Sequence, residues 1–225
     1  MSNIYVLCKD PEKWQALLAD PELHWRTGYS AKTLAYSWSE ANGFPTEVDI
    51  VLRSSPPFHD IQLLLAIPEH QVPLPGGARP SQNDVWVLAR AGRELVSIAV
   101  EGKMQEQFGP LVREWRADAT RGKSCRLEFL AKTLELPPSQ LDDIHYQLLH
   151  RTASALIEAK RYNAAHAVML VHSFSPTREH FEDYRQFVAL FGRDASPESV
   201  VSVEPRSGIS LHFAWVTGNP EYLKR

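Results

Sequence analysis

Residues 84–103 read Asp-Val-Trp-Val-Leu-Ala-Arg-Ala-Gly-Arg-Glu-Leu-Val-Ser-Ile-Ala-Val-Glu-Gly-Lys. Two β-rich runs flank a turn at Ala91-Gly92, the pattern of a β-hairpin. Successive strand side chains alternate between faces. Val96, Ile98 and Val100 therefore share one face, and Ser97, Ala99, Glu101 and Lys103 share the other. The first face is apolar. The second begins small and ends in a carboxylate and an ammonium. In an antiparallel pair the start of one strand lies beside the end of the other, which brings Asp84 close to Glu101. Two acids and a lysine at one end of a half-buried hairpin are unfavourable unless something uses them.

Around this hairpin the composition is that of an ordinary globular chain. Of 225 residues, 44% are hydrophobic and 23% charged, enough for a sizeable core. No repeat or linker divides the chain, so residues 1–225 are expected to form one α/β domain with its core over about 30–174. The formal charge of -3 lacks the basic signature of an electrostatic nucleic-acid binder, so any nucleic-acid contact needs a local patch or a bridging metal. Cys8 and Cys125 fit a reduced compartment and packing roles. No apolar run approaches the ~18 residues of a membrane span, and the N-terminus has no basic leader. A soluble cytoplasmic protein without a membrane partner is expected. The oligomeric state is left open, and a homodimer is compatible with the chain.

Taken in order, residues 4–8 read as a strand. Residues 11–18 read as a helix started by Pro11. Ser30 caps a helix to about Asn42, with Leu34, Ala35 and Trp38 on one face and Glu40 near its end. Weak alternation predicts a strand over 48–53. Residues 60–67 read as a short apolar helix or buried segment, and 71–83, rich in Pro and Gly, as a loop. After the hairpin come a helix near 111–115 and a stretch, 113–132, with six basic against three acidic side chains. A helix follows over 127–136. Ser139 then caps the longest helix, 140–160. Residues 165–174 form a nearly continuous apolar strand, central in a sheet. A helix over 177–191 and a final strand or strand pair over 207–217 complete the chain.

The strongest elements run helix 30–42, strand 48–53, strand 84–90, strand 95–103, helix 140–160, strand 165–174. This αβββαβ order, with an acid heading the second strand and Glu-x-Lys ending the third, resembles the PD-(D/E)XK nuclease-like superfamily over residues 30–174. The run 101–109, Glu-Gly-Lys-Met-Gln-Glu-Gln-Phe-Gly, also looks like that of an uncharacterised bacterial protein family. The resemblance implies a restriction-endonuclease-like core, a central mixed sheet flanked by helices, here with an extra C-terminal helix and strand. It implies Asp84 and Glu101 as metal-binding acids and Lys103 as the catalytic lysine. Glu40 is similar to the acid often found on the first helix. Gln147 and Arg151 are placed like polar residues of the second core helix. Asn83 departs from the pattern, standing where the motif has its proline.

The chemistry this implies is metal-dependent phosphodiester hydrolysis. It needs charge compensation on the phosphate, an activated water and a stabilised leaving oxygen, and a divalent cation supplies all three. Mg²⁺ or Mn²⁺ on Asp84, Glu101 and the Gly102 carbonyl would fit the oxygen preference of such ions. Lys103 would act as a point charge on the phosphate or orient the water. The basic stretch 113–132 could meet backbone phosphates. Three readings are open: a nuclease, a catalytically inactive nuclease-like binding or scaffold module, and an enzyme for a small phosphate- or carboxylate-bearing substrate. Taken alone, Glu-x-Lys on a strand is an exposed ion pair worth little; only burial and company would make it a site.

Overall fold

The computed structural model of the protein describes residues 10–225, so the strand expected over 4–8, and Cys8 with it, lie outside the described residues. A 3₁₀ turn, Pro11–Leu17, and a one-turn helix α1, Pro21–His24, lead to helices α2, Ser30–Glu40, and α3, Thr46–Arg53. Strands β1, Gln62–Val72, β2, Ser81–Ala91, and β3, Glu94–Lys103, follow without interruption by a helix. Then come α4, Val112–Trp115, α5, Arg121–Leu134, α6, Tyr146–Arg161, β4, His166–Ser173, α7, Phe181–Ala189, β5, Ser199–Ser202, and β6, Ser210–Thr217. The result is mixed α/β, one six-stranded sheet in the order β1-β2-β3-β4-β6-β5 flanked by helices.

The hairpin is present as β2 and β3. Its turn is Gly92-Arg93, one residue beyond the expected pair, closed by Ala91 opposite Glu94. Gly92 takes φ +58°, the conformation that the first central position of a tight hairpin turn requires, and donates its amide to the Asp60 carboxylate at 3.0 Å. The two faces of β3 sort as the period of two predicts. Val96, Ile98 and Val100 join Leu34, Trp38, Val48 and Leu52 in a core beneath α2 and α3. Ala99 joins Leu130, Leu148, Leu149 and Phe213 in a second core on the opposite face, beneath α5, α6 and α7. β3 runs parallel to β4, and β4 parallel to β6, so the strand expected to be central is central and buried along nearly its whole length.

Four readings are corrected. Residues 48–53 lie in helix α3, not a strand. Val48, Val51 and Leu52 fall at i, i+3 and i+4 and are all buried, Glu47 and Asp49 sit in the first turn, and Asp49 pairs with Arg53 at 2.7 Å. Most of the segment at 60–67 lies in strand β1, which starts at Gln62 and runs through Val72, and with β2 starting at Ser81 the loop expected over 71–83 shrinks to 73–80. β1 is an edge strand and so tolerates Pro68, which has no amide to donate to the ladder. The longest helix starts at Tyr146, not at 140. The preceding residues form a 3₁₀ turn, Pro138–Gln140, and then a bridge from His145 to Leu111: Ile144 accepts from the Val112 amide at 2.8 Å, and Pro110 accepts from the Tyr146 amide at 2.9 Å. Cys125, expected to pack inside, is exposed on α5.

Several histidines serve as buried connectors. The Trp38 indole donates to Nδ1 of His172 at 3.2 Å, and Nε2 of His172 meets Glu47 at 3.1 Å, tying α2, β4 and α3 together. At the other end of β4, Glu94, His166, His212 and Ser202 form a chain of hydrogen bonds at 2.9, 3.0 and 2.8 Å. Burial, followed by the adjacent His166, lowers the His212 pKa to about 4. A lowered histidine is neutral in the folded state while the unfolded chain takes up a proton, so stability is lost as pH falls from about 6.5 towards 4. Acidification across that window is expected to weaken the wild type by up to about 3 kcal/mol more than a His212→Gln variant in urea unfolding. Parallel pH curves for the two proteins would refute it.

Candidate active site

The β2–β3 ladder ends at Val85↔Val100, and one further step in that register sets Asp84 across from Glu101. On its other side, β2 pairs with β1 at Pro68↔Val85 and His70↔Asn83, which sets Glu69 across from Asp84. Three carboxylates therefore stand in one row over three adjacent strands. Past the ladder's end the Asp84 side chain substitutes for a backbone acceptor: its Oδ2 receives the Gly102 amide at 2.7 Å. A Cβ at 102 would lie 3.1 Å from Leu34 and 3.3 Å from that Asp84 oxygen, so the glycine is what allows this close approach.

The cations come from β3 and α6. Lys103 Nζ donates to Glu101 Oε1 at 2.8 Å and to Gln147 Oε1 at 3.0 Å, and lies 4.9 Å from the centre of the Phe108 ring. Arg151, one helical turn after Gln147, donates from Nε to Glu101 Oε2 and holds Nη2 3.7 Å from Asp84. One guanidinium thus touches both acids. Glu101, Lys103 and Arg151 are 2%, 3% and 6% exposed, whereas the Asp84 side chain is 23% exposed and opens onto a cleft of about 940 Å³.

The acids titrate differently because their neighbours differ. Burial opposes ionisation of Glu101, but Arg151 and then Lys103 outweigh it and hold its carboxyl below the usual value. Burial, then the charge of Glu101, push the Asp84 carboxyl well above its usual value. Burial pushes Glu69 up to about 7, against the hydrogen bond it accepts from Gln82 at 2.7 Å. Beside them burial and then Arg151 keep His150 well below the usual histidine range, its Nδ1 bonded to Ser81 at 2.8 Å. Three acids against two cations leave a negative balance in a poorly solvated place when all are ionised.

Asp84, Glu101, Gly102, Lys103, Gln147 and Arg151 are thus brought together. Gly102 takes part through its amide. Glu40 is not brought in. Ser30 and Ala31, at the start of α2, line the cleft, but Glu40 is its last residue, ~15 Å along the helix axis, and pairs with Arg225 at 3.3 Å. Glu69 takes the place of a third acid. It was hidden by the boundary of the segment at 60–67; read as one strand with Pro68 at an edge, β1 places Glu69 in the row by register. Half of the six cations in the basic stretch are paired: Arg113, Arg116 and Lys123 with Asp143, Asp142 and Asp118.

Among the described residues no group of three or more His, Cys, Asp or Glu side chains is arranged to hold a metal ion by itself, and no helix is long and apolar enough to cross a membrane. Searches of curated proteins and of solved structures found no match. The family comparison does find one: over residues 7–220 the chain matches the domain of unknown function DUF6946, and it belongs to that family.

Proposed function

We propose that the protein is a divalent-metal-dependent nuclease, hydrolysing phosphodiester bonds on a PD-(D/E)XK-like core formed by α2, β1, β2, β3, α6 and β4. The observation that carries this reading is the convergence of Asp84, Glu101 and Lys103 at the floor of a cleft, with both acids against one guanidinium. Carboxylate oxygens suit Mg²⁺ or Mn²⁺, which keep several waters and take only one or two protein carboxylates, so a three-residue cage is not needed. A dication held by Asp84 and Glu101 would supply the charge compensation and the activated water, and its positive charge would match the surplus of acids. Lys103 is fixed by Glu101 and Gln147, which present its ammonium as a point charge for a phosphoryl oxygen. Arg151 holds Glu101 from α6, and the Phe108 ring lies beside the Lys103 ammonium.

Incubation of single- and double-stranded DNA and RNA with Mg²⁺ or Mn²⁺ is expected to give cleavage, reduced at least about 100-fold in Asp84→Ala and Lys103→Ala proteins. Cleavage that survives in both variants would remove these residues from the reaction. A second reading, an inactive nuclease-like binding or scaffold module, is favoured by one observation: both oxygens of Glu101 are already engaged, by Lys103 and Arg151. That reading predicts no cleavage and no change of melting temperature on adding either metal.

A further inference from the structure

Resting on the phosphodiester reading above, we infer that the cleft takes single-stranded nucleic acid and stacks an unpaired base on Tyr29. Three independent features lead there. The first is size. At about 940 Å³ the cleft matches the upper range of small-ligand pockets, roughly 300–1,000 Å³. It is bordered by Tyr29, Ser30 and Ala31 from the α2 side of the sheet and by Tyr146, Gln147 and Arg151 from the α6 side. A cleft of that volume holds a ligand of drug size, about one or two nucleotides, and not a stretch of duplex.

The second feature is charge. The lysine and arginine that line the cleft are Lys103 and Arg151, and both are bonded to Glu101. Beyond the cleft, Arg113, Arg116 and Lys123 are matched by aspartates. A duplex binder draws its affinity from many phosphate contacts, and these pairs take up half of the six cations in the 113–132 stretch. Affinity must come from a few phosphates near the acids and from contacts with the bases.

The third is the aromatic wall. Tyr29 is 47% exposed although it is a large ring at the mouth of a cleft, and the Arg26 guanidinium lies 5.9 Å from its centroid. Its backbone is fixed as the residue preceding α2, with its amide bonded to Arg26 and its carbonyl accepting from Thr33. A base can stack on such a ring whatever its sequence, but only when it is out of a duplex.

The test is fluorescence anisotropy of the full chain in Mg²⁺ with a labelled, cleavage-resistant phosphorothioate hexanucleotide, in DNA and RNA forms, against a blunt duplex. The single strand is expected to bind at least about tenfold more tightly than the duplex, with Tyr29→Ala weakening it about tenfold and Tyr29→Phe retaining it. The slope of log affinity against log salt is expected to be no steeper than about -1.4, the value for two phosphates. Equal or tighter duplex binding, indifference to Tyr29→Ala, or no binding of either probe overturns the inference. Tyr29-dependent single-strand binding without hydrolysis of an ordinary oligonucleotide leaves it standing and removes the catalytic reading. Duplex hydrolysis that ignores Tyr29 does the reverse.

Discussion

Replacing Arg151 with Met is expected to destabilise the protein by about 3–5 kcal/mol, a large part of the roughly 5–15 kcal/mol that holds a domain together. The side chain is 6% exposed and is bonded to Glu101 through Nε, to Ser81 Oγ at 3.3 Å, and near Asp84 at 3.7 Å. Methionine fills much of the space but leaves Glu101 with Lys103 as its one cationic neighbour among the described residues. The penalty is that of a buried charge losing its partner, which exceeds the modest net worth of the pair itself. Lysine is not an equivalent replacement, since an ammonium cannot reach two carboxylates from one planar group. The metal proposal adds a second expectation. A dication that binds the folded state stabilises it by mass action, and the variant has more uncompensated negative charge. Millimolar Mg²⁺ should therefore raise the melting temperature of Arg151→Met by more than that of the wild type. A loss below about 1 kcal/mol in urea unfolding would show that Arg151 is a dispensable rim contact rather than the support of Glu101.

The centre of the fold was more legible than its frame. The hairpin could be read because its period-two alternation on β3 has a physical counterpart: Val96, Ile98 and Val100 meet α2 and α3, while Glu101 and Lys103 meet α6. The strand at β4 could be read because a strand buried on both faces has a continuous apolar sequence. β1 shares that apolar density, but Leu63 to Ile67 carry no alternation and Pro68 breaks the pattern, so strand and helix could not be told apart by period. α3 is only eight residues long, too short for weak alternation to be separated from i, i+3, i+4 spacing without its partners. The site followed the same division. Asp84, Glu101 and Lys103 lie on the legible hairpin. Gln147 and Arg151 lie on a helix whose start was misplaced but whose phase was right. Glu69 was lost with β1, and Glu40 was carried to the wrong end of α2 by sequence order, which says which helix an acid is on but not which end of it meets the cleft.

Asp84→Asn is expected to make the metal-free protein more stable at about pH 8 while abolishing its response to metal. Burial and the charge of Glu101 raise the Asp84 carboxyl well above its usual value, so the folded state holds a proton there that the unfolded chain has released. A raised carboxyl contributes stability that is present below the unfolded value near pH 4 and is lost as pH rises through the folded value. Glu69, pushed up to about 7, acts in the same direction and loses its contribution as pH rises through that value. Asparagine removes the ionisation at 84 but keeps a side-chain oxygen that can accept the Gly102 amide, now 2.7 Å from Asp84 Oδ2. The stability gap between variant and wild type should therefore be small at about pH 4 and widen in the variant's favour towards pH 8. Millimolar Mg²⁺ or Mn²⁺ should narrow it by stabilising the wild type alone, more strongly at high pH, because the ion competes with protons for the same oxygens. Urea unfolding with and without metal at several pH values measures all of this. A variant less stable than wild type at the alkaline end, in chelator, would mean that the attraction of Asp84 to Arg151 outweighs its burial and its repulsion from Glu101. The row of acids would then be a self-contained ion-pair network with no surplus negative charge to attract a metal.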